Sequence, residues 1–175
     1  NSNNDYYFYD NGGYVAHAVR HKDSNWFFQF DIKDAFSSVR VARLRKIVSL
    51  IFKHRILLTI KEGDEVMNPV LEDQNIISQV VDLIIALTTY DGFLPQGPPS
   101  SPFLFFIYLM EDSIIPLRPF EARIPRGVWP CLIESLPAQY KMSGYVDNIC
   151  VSGKNRVPDE VKQKAINAFE RIGLK

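Results

Sequence analysis

The stretch WFFQFDIKDAFSSV, residues 26–39, constrains this chain more than any other. Aromatic residues crowd its first half, and aromatic side chains suit the pleated, half-buried surface of a strand. The run ends in Asp31, after which the pattern turns helical. Asp31 therefore sits where a strand gives way to a helix. A carboxylate held at such a junction is well placed to grip a metal ion. It is equally placed to cap the helix that follows. The rest of the chain decides between these readings.

At 175 residues the chain makes one domain, or one and a piece of another. Its hydrophobic fraction, 46%, is enough for a sizeable core. Charges balance at 20 against 20, so net charge carries no hint of a nucleic-acid partner and local charge must do so. Cys131 and Cys150 are too few and too scattered for a disulfide framework or a zinc site. No apolar run approaches the roughly 18 residues of a membrane span, and the N-terminus is polar. An intracellular, cytoplasmic setting is expected. The absence of an initial Met suggests a fragment or a processed product.

Residues 1–25 read as a loosely held arm or an edge segment, with Gly12-Gly13 as a turn. Apolar residues recur at helical spacing over 39–54 (Val41, Leu44, Ile47, Val48, Ile51, Phe52). From Ala35 to Lys61 there are seven Lys or Arg and no acid. That asymmetry is either a solvated helix face or a surface lying beside a phosphate backbone. ILLTIK at 56–61 and residues 66–71 suggest a hairpin around Glu62-Gly63-Asp64. Residues 74–90 carry a broad apolar helical face. Ser100-Ser101-Pro102 suits the N-cap and first turn of a buried helix over 103–110. Residues 116–137, with five prolines, predict a loop or bent strands. YKMSGYVDNICVS, 140–152, reads as a hairpin turning near Asp147-Asn148, since both residues tolerate left-handed backbone. An amphipathic helix closes the chain over 158–172.

Three of these segments together resemble a known family. Phe-Asp-Ile-Lys-Asp-Ala-Phe at 30–36 is similar to the first catalytic motif of reverse transcriptases. Leu-Pro-Gln-Gly at 94–97 followed by Ser101-Pro102 is similar to their second, and Tyr-Val-Asp-Asn at 145–148 to their third, the Tyr-x-Asp-Asp box. They occur in the family's order, and the resemblance covers about residues 14–175. Ala-His ahead of the first motif and the extended second motif resemble the retron and group II intron branch.

The resemblance implies an RNA-directed DNA polymerase core that joins dNTPs to a primer 3′-OH by a two-metal-ion mechanism, with Mg²⁺, or Mn²⁺, as cofactor. It implies that Asp31 and Asp147 are the metal-holding carboxylates, with the Ile32 carbonyl as a further ligand, and that Asn148 completes the catalytic set. Phe36 would lie under the incoming sugar and exclude a 2′-hydroxyl, or else simply pack in the core. Pro95, Gln96 and Gly97 would line the nucleotide pocket, where Gln96 can donate and accept and Gly97 lets the backbone come close. Tyr145 would sit beneath the template–primer end, or form an ordinary cross-strand pair. Arg20 and Lys22 are candidates for the triphosphate or template by position and charge, and Lys175 lies where the family has a lysine near the pyrophosphate. Asp34 has no metal role in the family and is expected to shape the helix start.

The implied fold is α+β: a polymerase palm with a small antiparallel sheet of the ferredoxin-like, split βαβ kind, helices on one face, partial fingers and no thumb. Residues 1–25 would be an arm or fingers remnant and 26–175 the palm, with fingers elements over about 56–93. A Cα separation beyond about 10 Å between Asp31 and Asp147 would contradict a shared metal site. Implied partners are an RNA template, a DNA primer and dNTPs, with another segment or chain supplying the fingers and thumb. The sequence departs from the family at Asn148, where a second Asp is usual. A natural working variant, a natural loss of activity and an engineered substitution all fit that change. The alternative function is a weakened or inactive reverse-transcriptase-like domain that binds RNA or a protein. Template-directed RNA synthesis is a third reading, opposed by Phe36.

Overall fold

The computed structural model describes residues 4–7, 13–61, 73–114 and 136–175. Its elements run β1 (Asn4–Tyr7), α1 (Gly13–Arg20), β2 (Trp26–Asp31), α2 (Val41–Lys61), α3 (Gln74–Thr88), α4 (Ser100–Ile114), β3 (Tyr140–Tyr145), β4 (Asn148–Gly153) and α5 (Asp159–Arg171). The class is α+β. Strands β3, β4 and β2 form an antiparallel sheet, and β1 adds to its edge parallel to β3, giving the order β1-β3-β4-β2. The N-terminal segment thus contributes an edge strand.

Register assigns the two faces, because directly opposed residues share a face. Trp26 opposes Gly153 and Phe28 opposes Val151, while Phe30 opposes Ile149. Ile149, Val151 and Met142 are buried in the core with Phe169 of α5 and Leu104, Phe105 and Tyr108 of α4. Phe30 meets the Phe169 ring edge-on at 5.5 Å between centroids. The opposite face is polar: Ser143 and Ser152 are fully buried there against His17 of α1 and His21 of the turn that follows it. Helices therefore cover both faces, where the sequence predicts one. The physical reason is that α1 is inverted in polarity. With the turn that follows, it sends His17 and His21 inward and leaves Tyr14, Val15 and Val19 exposed, so the usual rule of an apolar inner stripe gives no signal.

Two further expectations change. ILLTIK is the last part of α2, not a strand. A short apolar run of this kind fits either structure by periodicity, and no Gly or Pro interrupts Val41 to Lys61. The second arm expected at 66–71 and the irregular stretch 116–137, except for its last two residues, lie outside the described residues. The hairpin turns one residue earlier than expected, as described below.

Three arginines of the basic run make contacts within the protein. Arg45 makes a forked pair with Asp82 of α3, with Nη2 donating to Oδ2 at 3.0 Å, and also donates to Ser78. Arg43 is buried, its guanidinium 5.1 Å from the centre of the Tyr108 ring. The Arg40 guanidinium lies against Gly173, where a Cβ would meet it at 2.6–2.7 Å. Lys46 and Lys53 remain exposed. No described helix is long and apolar enough to cross a membrane.

Candidate active site at the Asp31 corner of the sheet

The first and third sequence motifs meet at one end of the sheet through strand register. Asp31, the last residue of β2, opposes Asn148, the first residue of β4. Asn148 in turn opposes Tyr145, the last residue of β3. Tyr145, Asn148 and Asp31 therefore form a row across three strands on one face. An opposed antiparallel pair has its Cα atoms about 4.5–5.5 Å apart, and the next residue along is about 3.8 Å further. Asp31 and Asp147 are thus within about 9 Å at Cα, inside the limit a shared cation sets. The Ile32 N–H donates to the Asp147 carbonyl at 3.1 Å, which ties the end of β2 to the hairpin turn.

The turn itself is strained. Tyr145 pairs with Asn148, so the loop is Val146-Asp147 and not Asp147-Asn148. Val146 has φ +56°, whereas Asp147 is not among the positive-φ residues. A two-residue loop with positive φ only at its first position is the type II′ geometry, which normally places Gly there. A β-branched residue in that position costs on the order of 1–3 kcal/mol. The cost is tolerated where the surrounding pairing over-determines the loop, and it fixes where Asp147 sits.

Burial and charge then act on Asp147. Burial pushes its carboxyl above the ordinary carboxylate range, and the negative charge of Asp31 pushes the same way. Its own backbone N–H and the Asn148 amide oppose this, with Asn148 Nδ2 donating to Asp147 Oδ1 at 3.3 Å. Two neighbouring carboxylates, with an amide oxygen source beside them, make a donor set that fits one divalent oxygen-seeking cation. Among the described residues no group of three or more His, Cys, Asp or Glu gathers as a metal site. The corner offers two acids, not three.

Around this row, Asp31, Gln29 and Phe27 are exposed along β2 and leave that part of the face open. Phe36 is half-buried, in the turns of residues 33–38 that follow β2 in place of an immediate helix. Its ring stands edge-on to Phe105 of α4 at 5.7 Å. Asp34 adopts φ +50°, and its carbonyl accepts from the Ser38 N–H and the Ser37 hydroxyl, so it shapes this turn. In the loop before α4, Leu94 is buried as an anchor, while Gln96 and Gly97 are exposed. The chain's last residues return to the corner. The Tyr108 hydroxyl donates to the Ile172 carbonyl, and Leu174 is fully buried. The Lys33 N–H donates to the Lys175 carbonyl at 2.7 Å, which brings Lys175 beside the end of β2.

Arg20 and Lys22 are not brought to this corner. They precede the loop that enters β2 at Trp26, and the Asn25 N–H donates to Gly153 at the far end of β4. Five residue steps of strand, roughly 17 Å, separate that end from Asp31. The structure also gathers side chains that sequence reasoning did not group. His21 Nδ1 is 2.6 Å from Ser152 Oγ and its Nε2 is 2.6 Å from Ser143 Oγ; His17 Nδ1 is 2.8 Å from Ser143 Oγ. Ser24 Oγ extends the chain from Ser152 at 2.8 Å. The signal available in the sequence was two His at i, i+4, the spacing that puts them on one helix face. Burial, with help from His17, Lys141 and Arg20, pulls the His21 pKa down to about 4. No family model matches the chain, and the searches of curated proteins and of solved structures return no match.

Proposed function

We propose that this chain is the catalytic palm of an RNA-directed DNA polymerase of the reverse-transcriptase kind, related to the retron and group II intron branch. The observation that carries the reading is the row Asp31–Asn148–Tyr145, which joins the first and third motifs at one sheet corner. The sequence of β2, intervening helices and then the β3–β4 hairpin set beside β2 supports the split βαβ palm. Asp31 and Asp147 would hold Mg²⁺ or Mn²⁺, with the Asn148 amide oxygen or Ile32 carbonyl as neutral ligands. A divalent ion bound there supplies charge neutralisation for the reacting phosphate and acidifies the primer hydroxyl.

The remaining roles belong to the protein's own groups. Tyr145 and the exposed strip Phe27, Gln29 and Asp31 form a floor for the primer end of an RNA–DNA duplex. The Phe36 ring, held by Phe105, excludes a 2′-hydroxyl and selects dNTPs over rNTPs. Gln96 and Gly97, on the loop anchored by Leu94, present hydrogen-bonding groups and open backbone to the nucleotide. Lys175, beside Lys33, is positioned to face the triphosphate. Another segment or chain supplies fingers and thumb, and the setting is intracellular.

A second reading has its own observation. Asn148 donates its amide hydrogen to Asp147 and adds no charge, so the corner has one carboxylate fewer than its family pattern. A weakened or inactive domain that binds RNA or protein follows from that. Primer extension separates the two readings, using an RNA template, dNTPs and Mg²⁺ or Mn²⁺ with the full-length protein, Asn148→Asp and Asp31→Ala. The polymerase reading expects extension from the first two and its loss in Asp31→Ala. No extension from either of the first two favours the binding domain.

A further inference from the structure

At the end of the sheet remote from Asp31 lies a cleft of about 330 Å³, lined by Asp23, Ser24, Gln139, Lys141, Gly153, Lys154 and Asn155. Three separate chain segments build it: the loop entering β2, the start of β3 and the turn leaving β4. Its walls are fixed by backbone and side-chain bonds. Asn25 N–H donates to the Gly153 carbonyl at 3.0 Å, and the Tyr140 hydroxyl donates to the Arg156 carbonyl at 3.1 Å. The Tyr140 ring comes so close to Gly153 that a Cβ there would meet it at 2.7 Å. The turn over 153–156 is therefore held against the root of β3.

The chemistry of the lining is specific. Two ammonium groups, Lys141 and Lys154, and two side-chain amides, Gln139 and Asn155, line one small volume. The single acid, Asp23, stands 4.0 Å from Lys141 Nζ, too far for a close ion pair, and its side chain is largely exposed. Lys141 is thus left with unused donor capacity. Two cations with amide donors suit a doubly charged oxyanion, and an acid at the rim suits the hydroxyls of a ribose. The volume is at the lower end of ligand pockets, the size of a single nucleotide and not of a folded partner.

We propose that this cleft is a second ligand site, which takes the phosphomonoester of a mononucleotide. It is independent of the Asp31 corner, roughly 17 Å away along β2. Lys141 and Lys154 bind the phosphate, Gln139 and Asn155 donate to it or to the base, and Asp23 accepts from the ribose. Ser24 connects the cleft to the buried interior, because its hydroxyl meets Ser152, which meets His21. The groups facing His21 are His17 and Arg20 on α1, Lys141 and Ser143 on β3, Ser152 on β4 and the Phe27 ring on β2. A phosphate on Lys141 cancels one of the positive charges that disfavour His21 protonation. Ligand in the cleft therefore reports on His21.

The test is an NMR titration of the full chain with inorganic phosphate, AMP and adenosine at pH 7, with the His21 titration repeated at saturating AMP. Expected are saturable shifts at Lys141, Lys154 and Asn155 with phosphate and AMP, tighter for AMP, none with adenosine, and an upward move of the His21 midpoint. Lys154→Ala, at an exposed position, should weaken AMP binding by roughly tenfold through loss of one charge-assisted bond. A 5′-phosphorylated oligoribonucleotide against its 5′-hydroxyl twin tells a free nucleotide from a nucleic-acid end as the source of the phosphate. Absence of saturable shifts with phosphate and AMP overturns the proposal. So do shifts that persist unchanged in Lys141→Ala/Lys154→Ala, or that centre on Asp31 and Asp147.

Discussion

Lowering the pH should undo the docking of α1, and His21 is the group that does it. His21 is 4% exposed, and both ring nitrogens are engaged by serine hydroxyls at 2.6 Å. Its pKa falls from 6.5 to about 4, first because burial disfavours the charged ring and then through His17, Lys141 and Arg20. At about 1.4 kcal/mol per pH unit, the difference between folded and unfolded states is worth up to ~3 kcal/mol. Water near the loop end of α1 screens part of this, so roughly 2 kcal/mol is the working figure. The sign follows from proton counts. Below pH 6.5 the unfolded chain binds a proton that folded His21 refuses, so this stability is complete above 6.5. It is lost as pH falls towards 4 and levels off below that. His17, whose pKa burial also lowers, adds to the loss in the same direction. Urea unfolding followed by circular dichroism at pH 7.5, 6.0 and 4.5 measures the effect. His21→Gln is the control, since an amide can bond both serines and does not titrate. The wild-type minus His21→Gln difference should shrink by roughly 2 kcal/mol between pH 7.5 and 4.5, while all other titrating groups cancel. A difference that stays constant with pH would refute the argument, as would a His21 NMR midpoint near 6.5.

Other predictions concern the corner and its supports. Val146→Gly should stabilise the fold by about 1 kcal/mol, because relief of positive-φ strain exceeds the entropy a glycine adds to the unfolded chain; a lower melting temperature would contradict the turn assignment. Gly173→Ala should destabilise by about 1–3 kcal/mol, since φ there is +90° and the new Cβ meets the Arg40 guanidinium. Arg40→Ala in the same chain should recover the steric share of that loss but not the backbone share, as urea midpoints will show. Tyr108→Phe should cost about 1 kcal/mol through loss of its bond to the Ile172 carbonyl, with no more than a small change in the m-value.

Much of the corner was legible because its signals are local. Aromatic alternation and a terminal acid mark β2, and the Pro- and Gly-rich loop marks the start of α4. Alternating patterns mark β3 and β4. What failed had non-local causes. The hairpin turn moved by one residue because cross-strand register, not the preference of Asp and Asn for left-handed backbone, chose the loop and forced Val146 into it. ILLTIK joined α2 because nothing in the sequence interrupts the helix, and a short apolar run does not reveal its own period. Helix α1 was unreadable because the residues that it and its closing turn send inward are His17 and His21, whose partners, Ser143 and Ser152, lie more than a hundred positions away. The acid-free basic run looked like a surface, yet Asp82, Tyr108 and Gly173 absorb three of its arginines, and those partners are visible only after folding.

Whether Asp31 and Asp147 form one divalent-cation site can be read from paramagnetic broadening of amide NMR signals by Mn²⁺. Broadening should centre on Asp31, Ile32, Asp147 and Asn148 at low Mn²⁺ and weaken as pH falls, because the Asp147 carboxyl holds its proton above the ordinary range. Binding should strengthen in Asn148→Asp and be lost in Asp31→Asn. Broadening centred elsewhere, or none at this corner in either the wild type or Asn148→Asp, would contradict a shared site.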